Sequence, residues 1–285
     1  MTKELEVAIA LARKAGQDIM RTYEAGFSTT WKENETPVTE ADHAANKIIV
    51  EGLKKEFPYP ILSEESADDP ARLESEYVWI VDPLDGTNGF VSRTGEFTVL
   101  IGLCRQNEPL IGVVYRPATD ELYFAETGSS AFKVKEGRGP ERLSVTKTEE
   151  PAKIKFLASD KFGPVLGPGE NFGLLDPGAV ARFGIKSENI SRVGGMGLKI
   201  ALIAEGKGDL CLNLSRRGSE WDTCAPEVVL HEAGGKITDV YGKKLLYNQK
   251  DVRRLEGGVI SNGTAVHERA VKELALAMFD PGTKY

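Results

Sequence analysis

The chain has 285 residues, with 36 basic and 43 acidic side chains for a formal net charge of -7, and it is 41% hydrophobic and 28% charged. That size permits one large domain or two ordinary ones with a real core, and the composition excludes a disordered chain, a collagen or a disulfide scaffold. The acidic balance offers no broad attraction to a phosphate backbone, so a general nucleic-acid binder is not expected, while a small anionic substrate held by local charge or metal stays open.

Residues 2 to 24 carry Leu5, Ile9, Ala12, Ala15, Ile19 and Tyr23 at helical spacing. After a polar stretch with Gly26 and Pro37, Thr39 opens a second helix whose apolar face is Ala41, Ala44, Ala45, Ile48, Ile49 and Leu53. The segment 61–66 follows, and 77–81 (YVWIV) reads as a buried strand that stops at Asp82-Pro83. Short strands are then predicted at 97–103, 110–115, 121–125 and 130–134, punctuated by Gly, Pro, Asn and Asp as hairpins require. The charged stretch 136–151 reads as a connection between two halves, 1–150 and 151–285.

Strand and helix alternate in the second half. Strands are predicted at 154–158, 188–193, 209–214, 236–240 and 257–262, a loop-rich stretch at 159–178, and helices at 198–205, 222–233 and 264–278. A hairpin-rich half followed by an alternating one predicts α+β joined to α/β, with sheets sandwiched between helices.

Three cysteines, Cys104, Cys211 and Cys224, form no C-x-x-C pair and are odd in number, which reads as reduced thiols. The apolar run Val7 to Ala12 is too short for a signal-peptide core, and no stretch is long enough to span a bilayer. A cytoplasmic protein is the expectation.

Acidic residues stand where elements end. Asp82 and Asp85 flank Pro83-Leu84, and proline fixes its own φ and donates no hydrogen bond, so a tight turn there can aim both carboxylates at one point. Two adjacent carboxylates do not both ionise without a cation between them, and oxygen ligands select a hard cation such as magnesium. An ordinary Asp-Gly turn is the plain alternative. By position Asp222 reads first as a helix N-cap and Glu64-Glu65 as solvated acids, and Thr39-x-x-Asp42 reads equally as a capping box with Asp in the Glu place. The three-residue spacing of Asp82 and Asp85 does not suit an EF-hand, no Walker-A or H-E-x-x-H motif occurs, and His43, His231 and His267 read as helix-face residues.

Four segments in order, SEE (63–65), WIVDPLDGTNGF (79–90), GGMGLKIALIAEGKGD (194–209) and EWDTCAPEVVLHEAGGKITD (220–239), resemble the inositol monophosphatase superfamily of magnesium-dependent, lithium-sensitive phosphatases. The likeness runs from about Pro37 to Asn262, and the WDTCAP segment with Gly195-x-Gly197-x-Lys199 is most similar to the 3'(2'),5'-bisphosphate nucleotidase branch. The resemblance implies a layered αβαβα sandwich of the inositol monophosphatase and fructose-1,6-bisphosphatase type. It implies hydrolysis of the 3'(2')-phosphate of adenosine 3'(2'),5'-bisphosphate to AMP by metal-activated water, with two or three magnesium ions. It makes Glu64, Asp82, Asp85, Asp222 and the Leu84 carbonyl metal ligands, and Asp42 and Thr87 the pair that deprotonates the water. Gly86, Thr87, Ser159, Gly195, Lys199 and Asp222 are implied to touch the substrate. By position alone, Arg216 and Arg217 are candidates for its second phosphate, with a solvated basic pair as the plainer alternative. The Ser-x-x-His-like segment of many nucleotidases is here Ser159-Asp160-Lys161-Phe162, without its His. The implied partner is a small phosphorylated molecule, with no nucleic-acid polymer and no membrane. An inositol or sugar phosphate phosphatase with the same site is the alternative, and a non-catalytic metal or phosphate-binding module a more distant one.

Overall fold

Thr2 caps the first helix, its hydroxyl accepting the Leu5 N–H at 3.4 Å, and so fixes where α1 (Lys3–Ala25) begins. The computed structural model describes residues 1–31, 37–135, 137–159, 177–214, 218–253 and 257–275. A small ribbon, β1 (Thr29–Trp31) with β2 (Pro37–Thr39), leads into α2 (Glu40–Glu56). Along the chain then come β3 (Ile61–Ser63), β4 (Tyr77–Asp85), α3 (Thr87–Val91), β5 (Thr98–Arg105), β6 (Glu108–Arg116), β7 (Glu121–Glu126), β8 (Phe132–Lys135) and β9 (Glu141–Arg142). The strands from β3 onward form a seven-stranded sheet in sequence order, parallel between β3 and β4 and antiparallel elsewhere.

The second half supplies β10 (Phe156–Ala158), α4 (Pro177–Phe183), β11 (Ile190–Arg192), α5 (Met196–Ala204), β12 (Leu210–Asn213), α6 (Cys224–Glu232), β13 (Lys236–Thr238), β14 (Gly258–Ser261) and α7 (Val266–Ala270). Its sheet runs β11-β10-β12-β14-β13, parallel through the first three strands and antiparallel at β14.

Three apolar clusters give the order of the layers. One joins α1 and α2 to the outer face of the large sheet through Trp79, Val81, Val99 and Ile101. A central cluster joins its inner face, Val78, Ile80, Leu100 and Val114, to α5, α6 and Cys211, Ile237 and Ile260 of the second sheet. The third packs Phe156, Leu210 and Val259 against α4 and α7. The result is the expected αβαβα sandwich. Because β4 and β5 are buried on both faces, they read as continuous apolar runs instead of alternating ones.

Side-chain size controls how closely α6 approaches the large sheet. A Cβ on Gly112 would stand 2.0 Å from the Ala225 carbonyl oxygen, so only glycine lets the start of α6 lie against β6. All three cysteines are buried, and none forms a disulfide among the described residues. No helix among the described residues is long and apolar enough to cross a membrane.

Several boundaries differ from the sequence reading. The stretch 136–151 is more than a connection, because β9 within it extends the large sheet and Leu143 and Val145 enter the central cluster. The strand predicted at 188–193 is confined to Ile190–Arg192, after a 3-10 turn at Ser187–Asn189. The helix predicted from 222 starts at Cys224 behind a separate 3-10 turn, Glu220–Asp222. The last helix passes from α7 into a wider π turn, Val271–Ala275, and its predicted end lies outside the described residues. The largest difference is at Pro83. β4 does not stop there but continues to Asp85 through an irregularity in its pairing with β5.

Candidate active site

That irregularity builds the site. Asp82 pairs with Leu100 and Asp85 with Thr98, so three steps along β4 match two along β5. In a regular strand residues three apart point to opposite faces. The extra residue restores parity and turns both carboxylates toward the inner face, where α5 and α6 lie. Pro83, which has no N–H for the ladder, sits within the bulge. Asp82 Oδ1 accepts the Leu84 N–H at 2.9 Å and thereby shapes it.

Asp85 is held from three sides. Its Oδ1 accepts the Met196 N–H at 3.0 Å, and its Oδ2 accepts the Gly197 N–H at 2.9 Å and the Thr98 hydroxyl at 3.0 Å. Gly195, at φ +60°, makes this fit possible, since a Cβ there would stand 2.7 Å from Asp85 Oδ2. Lys199 is buried beneath the same loop, 5% exposed, and donates to the Val193 carbonyl at 3.3 Å.

Asp222 arrives from the second half on the 3-10 turn, where Ser219 N–H donates to its Oδ2 at 2.7 Å in a capping box. It does not cap α6, whose N-cap is Thr223. Ligand oxygens of Asp82, Asp85 and Asp222 lie within 4.8 Å of one another. Glu64, half-buried, follows β3, and its N–H donates to the Val81 carbonyl at 3.2 Å, which sets it beside Asp82.

The charges register this crowding. Burial, then the repulsion of Glu64, Asp85 and Asp222, pushes the Asp82 carboxyl well above the usual range. Burial raises Asp85 too, opposed by the Met196 N–H, the Lys199 charge and the Thr98 hydroxyl. An all-oxygen donor set with clustered negative charge fits a hard divalent cation, which would relieve the repulsion directly.

Beside the cage, Thr87 opens the short helix α3 after Gly86. Its hydroxyl reaches Asp42 Oδ1 at 3.4 Å and the Leu84 carbonyl at 3.2 Å. Asp42, 3% exposed, gives its other oxygen to Thr39, accepting the backbone N–H at 2.8 Å and the hydroxyl at 2.6 Å. Burial raises its carboxyl pKa, and the Thr39 hydrogen bonds lower it. Thr39 and Asp42 do form the capping box, and the second carboxylate oxygen still points to Thr87.

Of the expected substrate contacts, Gly86, Thr87 and Gly195 border the cage, since a Cβ on Gly86 would lie 3.3 Å from the Gly195 Cα. Ser159 is exposed and leaves β10 where the paired β11 turns into the 193–195 loop. Residues 160–162, Arg216 and Arg217 lie outside the described residues. Thr98 and Glu96, the latter accepting the Gly194 N–H at 2.7 Å, were missed. No motif marks them, because cross-strand register and a distant loop give them their partners.

The model for the inositol monophosphatase family matches residues 1–277. The chain belongs to that family. Among curated proteins it is similar to the 3'(2'),5'-bisphosphate nucleotidase CysQ of Aggregatibacter actinomycetemcomitans, 32% identical over 88% of this chain and 89% of that protein. The CysQ of Salmonella typhimurium is 34% identical over 87% and 95%. Among solved structures, CysQ from Bacteroides thetaiotaomicron superposes with a TM-score of 0.72 at 32% identity, covering 91% of this chain and 97% of that one. The Thermotoga maritima inositol monophosphatase reaches a TM-score of 0.79 at 26% identity, covering 98% and 100%.

Proposed function

We propose that the chain is a magnesium-dependent 3'(2'),5'-bisphosphate nucleotidase that hydrolyses the 3'(2')-phosphate of adenosine 3'(2'),5'-bisphosphate to AMP and phosphate. The observation that carries the chemistry is the convergence of Asp82, Asp85 and Asp222 from both halves beside the Thr87–Asp42 pair. The substrate class follows from the names of the curated relatives over most of the chain.

Glu64, Asp82, Asp85, Asp222 and the Leu84 carbonyl would hold two or three ions. Bound there, magnesium would neutralise the phosphate and lower the pKa of water. Asp42 accepts the Thr87 proton through Oδ1, which turns a lone pair of the hydroxyl toward the attacking water. Burial makes Asp42 a stronger base than a surface aspartate, and the Thr39 bonds hold its orientation. The first-turn N–H groups of α3, at Gly86 and Thr87, have no intrahelical acceptor and suit phosphate oxygens. Gly195 and Ser159 border the nucleotide. Lys199 acts from behind the loop, through Asp85 and the Val193 carbonyl.

The test is phosphate release with magnesium from adenosine 3',5'-bisphosphate, inositol 1-phosphate and fructose 1,6-bisphosphate, side by side. The bisphosphate nucleotide is expected to react fastest, and Asp82→Asn to reduce all release to background with the fold intact. Activity of Asp82→Asn near wild type would remove the metal role. A second reading, an inositol or sugar phosphate phosphatase, is favoured by the higher TM-score to the inositol monophosphatase and predicts inositol 1-phosphate as the better substrate.

A further inference from the structure

Asp222 stands on a turn of three residues, and that turn is steadied in part by bonds that lie outside the cage. Glu220, fully buried at 0%, accepts the backbone N–H groups of Asn248 and Gln249 at 2.6 and 2.8 Å. Its own N–H donates to the Val252 carbonyl at 2.8 Å. The 248–249 segment is clamped in turn by Arg72, 1% exposed, whose guanidinium donates to Asn248 Oδ1 at 2.7 Å and to the Gln249 carbonyl at 3.0 Å. The Asn248 amide donates back to the Arg72 carbonyl at 3.0 Å. The other edge of the guanidinium makes two bonds to Asp68, at 2.6 and 3.0 Å. Arg72 lies in the 3-10 turn Pro70–Glu74, on the segment joining Glu64 to β4. A buried chain of hydrogen bonds therefore runs from the connection between Glu64 and Asp82 to the turn that carries Asp222.

We propose that Arg72 is a positioning residue: with Asn248 and Glu220 it forms a strut that sets the stance of Asp222 toward Glu64 and Asp82 before any metal arrives. The inference rests on the metal-dependent reading of the site. Carboxylate oxygens of Asp82, Asp85 and Asp222 that lie within 4.8 Å of one another repel when no cation stands between them. A short turn free to move would yield to that repulsion, and a metal would then have to draw it back at a cost in affinity. The planar fork of arginine resists this because it holds the Asn248 side chain, the Gln249 carbonyl and the Asp68 carboxylate in one geometry. Lysine in its place would keep the charge and lose the fork.

The strut is read by terbium(III) luminescence and its displacement by magnesium in the metal-free full chain, which needs no turnover. Asn248→Gly keeps the left-handed backbone at φ +56° and the N–H given to Glu220, but removes both side-chain bonds to Arg72. Arg72→Met keeps the aliphatic stem and removes the fork. Val259→Ala, in the cluster that holds no site residue, controls for a general loss of stability. Magnesium affinity is expected to fall about tenfold or more in Asn248→Gly and Arg72→Met, and to stay at the wild-type value in Val259→Ala. Unchanged affinity in Asn248→Gly would overturn the strut, and this variant decides the matter alone if Arg72→Met does not fold. Wild-type protein that binds no magnesium-displaceable terbium would overturn the metal reading itself.

Discussion

Thr87 has a single hydroxyl proton and two acceptors in reach, Asp42 Oδ1 and the Leu84 carbonyl. When the proton goes to Asp42, the hydroxyl can accept one from water. Thr87→Ala is therefore expected to lower kcat by about a hundredfold or more with little change in KM, as steady-state kinetics would read. A raised KM at wild-type kcat would make Thr87 a binding group instead. The Thr39–Asp42 capping box was legible from residue types alone, whereas its compatibility with catalysis was not, because that depends on which oxygen faces which partner. His267 shows the reverse case. Expected on a helix face, it is 1% exposed, with Nδ1 2.9 Å from the Ser261 hydroxyl and Nε2 3.0 Å from the Thr238 hydroxyl. Thr238 gives its proton to the Asp239 carbonyl and Ser261 Oγ accepts the Gly263 N–H, which assigns a neutral ring protonated at Nε2. Burial lowers its pKa from 6.5 to about 4. The folded ring is then neutral where the unfolded ring is charged, so stability is full above about 6.5 and is lost as pH falls toward about 4. The loss is at most about 3.5 kcal/mol at about 1.4 kcal/mol per pKa unit. Denaturant melts across that range should show it, and His267→Phe should lack it.

At the scale of elements, one bulge and one helix approach make the cage. The bulge at Pro83 brings Asp82 and Asp85 to one face, and the seating of α6 on β6 carries Asp222 to meet them. Gly112→Ala would press a methyl group against the Ala225 carbonyl and lift α6. We expect a loss of about 1–3 kcal/mol, read by denaturant melts, together with weaker magnesium binding. Weaker binding in Gly112→Ala is the informative part, since ordinary overpacking elsewhere would leave the cage alone. The helices α1 and α2 were legible from their 3.6-residue apolar stripes. The continuation of β4 past Pro83 was not, because proline forbids only its own hydrogen bond and the bulge leaves that position unpaired.

At the scale of the molecule, the central cluster draws side chains from both halves, from Leu62 and Val78 to Ile237 and Ile260. Two sheets sharing one core are expected to unfold together, so calorimetry should show a single transition in place of two. Magnesium should raise its midpoint, because an ion that binds only the folded cage stabilises it by about 2.7 kcal/mol at a hundred times its Kd. Asp82→Asn should abolish that gain. A magnesium-independent midpoint in the wild type would mean that no metal binds the cage.

The sequence by itself determined the main helices and strands and the family. Apolar periodicity marks those elements locally, and the segments around Asp82-Pro83-Leu84-Asp85 and Trp221-Asp222-Thr223 carry the likeness to the inositol monophosphatase family, to which the chain belongs. The tertiary structure alone decided how those residues meet: the register of β4 on β5, the oxygen of Asp42 given to Thr87, the buried place of Lys199, and the link from Arg72 to Asp222. These depend on contacts between residues far apart in the chain, including a pair separated by 176 positions, and such distances carry no local signature in propensity or spacing.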